Sequence, residues 1–172
     1  MDDRLLMIVL RLLHIIGGTF WVGAMLVAAG FLYPAAREGP AGGRVLQQIM
    51  MRYRLSTWLS VAAAVTVLSG LWMYGRVAVA TGGEWMRTRP GITLGVGGLL
   101  ATAAAATAGA VAAPTGRRLG ELGARLQQAG DAPAPTDVAE MQRLQARLLR
   151  AARLIAALLV LTVAAMAVAR YL

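Results

Sequence analysis

The 172-residue chain contains no cysteine, and its 17 basic residues are all arginine. Without thiols it can form neither a disulfide nor a thiolate metal site, and a c-type haem has nothing to attach to. A single histidine, His14, excludes a site built from several histidines of one chain. Charge is also scarce: 15% of residues are ionised and 58% hydrophobic, whereas a soluble domain carries about 25% charged residues. The sequence has no glycine-rich phosphate loop, no nucleophile–base pair and no carboxylate pair in an apolar stretch. These absences exclude a soluble enzyme, a disordered chain and a secreted disulfide scaffold. The net charge of +9 then reads as membrane topology and attraction to anionic headgroups, not as nucleic-acid binding.

What is present is a set of four long apolar runs, at about 12–33, 55–75, 91–113 and 154–169. A bilayer core needs about 20 such residues per helix. The expected fold is therefore all-α: a polytopic membrane protein with one domain over 1–172 and four transmembrane helices in a bundle. The first run exceeds the roughly 7–15 apolar residues of a signal peptide, and Asp2 and Asp3 spoil a basic leader. Segments 34–54 and 114–153 together carry eleven arginines, against six on the opposite side. Basic residues are retained in the cytoplasm, which predicts that both termini are extracytoplasmic.

Two packing expectations follow from spacing. Gly91, Gly95, Gly98, Thr102, Ala105 and Gly109 share one stripe of the third span, where small residues admit a neighbouring backbone. Between the last two spans, Leu119, Leu122 and Leu126 recur at helical spacing, and 129–136 is a dense turn signal. Thr136 or Asp137 is placed to cap a new helix, with Glu140 completing a capping box. The prediction is a cytoplasmic helical hairpin over about 114–153, extending spans three and four, with Pro114 bending its first arm. Two short amphipathic helices on the membrane surface are the alternative.

An ionisable group inside a span is costly and usually functional. His14 is that group, and Gly17, Gly18, Trp21 and Met25 follow on its helical face. Histidine beside two glycines leaves room for a flat ring, the arrangement that a b-type haem with an axial imidazole needs. Equally, the imidazole could donate to a neighbouring helix as packing glue, and the glycines could admit that helix; a proton or ion pathway is a third reading, with no Asp or Glu within any span to support it. A second axial ligand has fewer sources. Met73 lies at a compatible level, with Met25, Met50, Met86 and Met166 elsewhere, and His14 of a second copy or of a partner subunit is the other source; a five-coordinate haem needs neither.

The run Leu13-His14 followed by Trp21-Val22-Gly23 resembles the first-helix signature of the copper resistance protein D-like family of small membrane proteins. HemJ-type protoporphyrinogen oxidases show a similar opening. The resemblance implies a helical bundle of a bacterial-type cytoplasmic (inner) membrane, in which His14 ligates haem b or takes part in copper handling. Trp21 and Gly23 would belong to its pocket. The resemblance to the oxidases stops at the lysine they carry on a later helix, since this chain has none. Three functions follow in order: a haem protein for electron transfer or haem-linked redox work; a non-catalytic subunit of a larger membrane complex; and a copper-handling protein. The expected partners are the bilayer and either a second copy or a larger membrane complex.

Overall fold

A computed structural model describes residues 3–129 and 134–172. Helices make up all the regular structure there, with no strand among the described residues. The main elements are α1 (Asp3–Ala35), α2 (Pro40–Met51), α3 (Leu55–Ala80), α4 (Arg89–Gln128) and α5 (Pro135–Tyr171). All but α2 are long and apolar enough to cross a membrane. Arg54, between α2 and α3, adopts left-handed backbone with φ of 55°, a conformation rare outside glycine.

Helices α4 and α5 each run well beyond their apolar stretches, and their polar arms lie against one another. Of the expected turn between them, residues 130–133 lie outside the described residues. The expected cap at its far side needs correction. Helix α5 starts at Pro135, and Ala134 occupies the cap position with no side-chain hydrogen bond. Proline's fixed φ suits the first helical position, so the helix begins before Thr136 and Asp137 can cap it.

Proline also shapes the two other long helices. Residues Ala28–Leu32 of α1 and Ala108–Ala112 of α4 form π-helical turns, each ending two residues before a proline, Pro34 and Pro114. Proline has no N–H for the carbonyl four residues back, and its ring crowds that carbonyl. The chain answers by widening the preceding turn. Tyr33 N–H donates to Ala28 O, and Ala113 N–H to Ala108 O, each reaching five residues back. Both helices then continue through the proline.

Packing is pairwise: α1 lies along α3 and α4 along α5, with fewer contacts between the pairs. Trp21 and Met25 of α1 meet small residues, Ala62 and Ala63 of α3 and Ala101 and Ala104 of α4, and the large Ile155 and Leu159 of α5. Small side chains on two helices let large ones on the others fill the centre. The outer faces are apolar as well, with Ile16, Leu68 and Leu99 each about two-thirds exposed or more.

The expected small stripe of α4 is shifted in the structure. A Cβ at Gly98 or Gly109 would meet nothing within 4 Å, and Thr102 is exposed. The face against α5 instead carries Gly97, where a Cβ would stand 3.4 Å from that of Ala165. Ala101 and Ala104 continue it. Gly91 and Gly95 are covered differently. Trp85 backbone crowds the first, and the Tyr74 hydroxyl would stand 2.9 Å from a Cβ on the second. Tyr74 also donates to Gly91 O at 3.1 Å and meets Trp85 edge to face at 5.3 Å, which ties α3 to the start of α4. At the same end Arg76 pairs with Asp3 at 2.9 Å. Glu84, near Arg76 and Arg87 in sequence, joins no ion pair among the described residues.

Candidate cofactor site at His14

Helix α1 brings His14 against three residues of α3 that no sequence pattern ties to it: Thr66, Ser69 and Gly70. The ring lies on Gly70, where a Cβ would stand 2.8 Å from Cε1 and 3.0 Å from Nδ1. Any larger residue at 70 would displace the imidazole. Nδ1 lies 2.8 Å from Thr66 O. A carbonyl only accepts, so Nδ1 carries the proton and donates. The Ser69 hydroxyl, 3.4 Å from Nδ1, gives its own proton to Val65 O at 2.6 Å and turns a lone pair toward the ring.

This fixes the tautomer. With the proton held on Nδ1, a neutral ring would present its bare lone pair at Nε2, the nitrogen farther from Gly70 at 3.8 Å from its would-be Cβ. Nε2 has no hydrogen-bond partner among the described residues. Metal-ligating histidines are usually held this way, one nitrogen donating to a carbonyl and the other free to coordinate. His14 is half-buried, so the ring is not sealed in.

The remaining candidates are arranged otherwise. Gly17 and Gly18 face α3. A Cβ at Gly17 would stand 2.9 Å from Thr66 Oγ1 and 3.5 Å from Ala62 O, and one at Gly18 3.4 Å from Thr66 Cγ2. Their space is occupied by a neighbouring helix. Trp21 and Met25 are buried in the core, 2% and 6% exposed, among alanines and aliphatic side chains. Gly23 faces open space. Met73 follows Gly70 by three residues on α3 and is partly buried.

A b-type haem needs an axial donor and a slot for a flat ring. The donor fits: an oriented imidazole with an open Nε2. The slot within the chain does not fit, because Thr66 fills the space beside Gly17 and Gly18. A haem ligated here would lie at the chain's periphery, outside the α1–α3 contact. No three histidine, aspartate or glutamate side chains come together among the described residues, so His14 is the one strong metal donor the site contains.

Thr66 shows a further feature. Its Oγ1 is buried with no hydrogen-bond partner among the described residues, pressed toward Gly17. Thr66-x-x-Ser69-Gly70 was visible as a small, polar cluster within an apolar run. What the sequence lacked was any sign that it faces His14.

No family model, curated protein or solved structure matches the chain.

Proposed function

We propose that the four apolar helices cross a membrane as a bundle, and that His14 is an axial ligand to a b-type haem at its edge. The function is electron transfer or another haem-linked redox role. The supporting observation is the held tautomer: Nδ1 donates to Thr66 O at 2.8 Å, which leaves Nε2 a lone pair with no partner among the described residues. Bound haem would supply one-electron chemistry. The chain's own residues orient the imidazole and keep it in an apolar setting. Met73, or a histidine of a second copy or partner subunit, would hold the haem from its other side, unless that side stays without a ligand. On this reading both termini lie on the extracytoplasmic side of a bacterial-type inner membrane; the arginine distribution supports the orientation.

The experiment is an optical spectrum of the protein purified from haem-replete cells. A Soret band that His14→Ala abolishes in a folded, detergent-extractable protein is the expected result. A porphyrin-free wild type would overturn the haem assignment.

One observation favours a second reading, in which the chain is a non-catalytic subunit packed in a larger membrane complex. Thr66 fills the clefts at Gly17 and Gly18, and the imidazole fills the one at Gly70. On this reading His14 serves only as the α1–α3 hydrogen bond, and His14→Ala lowers stability with no cofactor in the wild type.

A further inference from the structure

Helix α5 is flanked by two grooves of similar build. The first, about 350 Å³, lies between Thr107 and Val111 of α4 and Arg147, Arg150 and Leu154 of α5. The second, about 290 Å³, lies between Ala29 and Gly30 of α1 and Arg153 and Ala156 of α5. In each, one wall belongs to a π-helical turn and α5 supplies arginine. Such turns often occur at functional sites, and both contact α5. The arginines are exposed. None has a carboxylate partner, since the one ion pair among the described residues joins Arg76 to Asp3.

We propose that these two grooves bind the phosphate of an anionic phospholipid. Arginine's fork of donors matches phosphate oxygens two at a time. The grooves sit where α5 passes from its arginine-rich arm into its apolar stretch, the level of lipid headgroups, and basic pockets between helices at that level hold anionic lipids. Leu154 in one groove, and Leu26 in the other, give an acyl chain an apolar path below the headgroup. The proposal rests on the membrane placement above and not on haem.

The test uses the full chain in neutral detergent, stripped of lipid and titrated with phosphatidylglycerol, phosphatidylcholine or inorganic phosphate, with bound ligand read by native mass spectrometry. Phosphatidylglycerol should bind saturably at two sites per chain, and the other two should not. Arg153→Gln should weaken one site about fivefold, and Arg147→Gln with Arg150→Gln the other about 25-fold, from the usual attraction per arginine. Arg117→Gln with Arg118→Gln removes the same charge from residues that line neither groove, and should leave both sites unchanged. Equal loss in that control, equal binding of phosphatidylcholine, or saturation by phosphate alone would overturn the assignment. So would absence of lipid binding by a protein that needs detergent. A chain that stays dispersed without detergent would refute the membrane placement itself.

Discussion

His14 on α1 and Gly70 on α3 are in direct van der Waals contact, so closely that a methyl group at position 70 would stand 2.8 Å from the imidazole Cε1. The glycine is there because the ring is. Its backbone forms the floor on which Nδ1 can reach Thr66 O one turn earlier.

Gly70→Ala tests that relationship. In an open helix alanine is favoured over glycine by about 1 kcal/mol, which is the expectation for Gly75→Ala, where a Cβ meets nothing within 4 Å. At position 70 the clash should reverse the sign and cost about 1–3 kcal/mol, the usual range for overpacking. Thermal melts in detergent should therefore separate the two variants. If they melt together, the ring does not lie on Gly70.

The unpartnered Thr66 hydroxyl gives a second expectation. A buried polar group without a partner costs about 1–3 kcal/mol. Thr66→Val removes that group, keeps the branched shape, and leaves the backbone carbonyl that His14 uses. The variant should be at least as stable as the wild type. A loss above about 1 kcal/mol would mean that the hydroxyl makes a hydrogen bond worth that much.

Gly97 and Gly98 are neighbours with opposite surroundings. Gly97→Leu should drive α4 from α5, because Ala165, Met166 and Thr162 O already lie within 3.6 Å of a Cβ there. Gly98→Leu should be tolerated, with nothing within 4 Å. Retention of the wild-type elution peak and melting point by both variants would contradict the α4–α5 contact.

These residues also show what was readable in one dimension. The four long helices were legible because twenty-residue apolar runs leave few other structures. The contact face of α4 was not, because Gly95, Gly97, Gly98, Ala101 and Ala103–Ala106 put small residues on every side of the helix. Spacing then cannot choose a stripe. His14 stands out as a candidate because it is one imidazole in an apolar span. Its partners Thr66 and Ser69 do not, because pairing between helices 52 and 55 residues apart leaves no periodic trace. The π turns follow from Pro34 and Pro114, yet a proline in a helix can equally produce a kink. The sequence names the disturbance but not the remedy.

The orientation has its own test. Reporters fused at residues 40 and 130 should both read cytoplasmic and one at residue 82 extracytoplasmic, because the arginines concentrate beside the first two. The reverse pattern would place His14 nearer the cytoplasmic face.

The most direct measurement uses the fact that the chain has one histidine. Nitrogen-15 labelling of histidine gives a single imidazole whose two ring signals report where the proton sits. The proton should be found on Nδ1 and a bare lone pair on Nε2, and adding ferric haem should shift or broaden Nε2 first. A proton on Nε2, or a ring indifferent to haem, would contradict the assignment of His14 as an axial ligand.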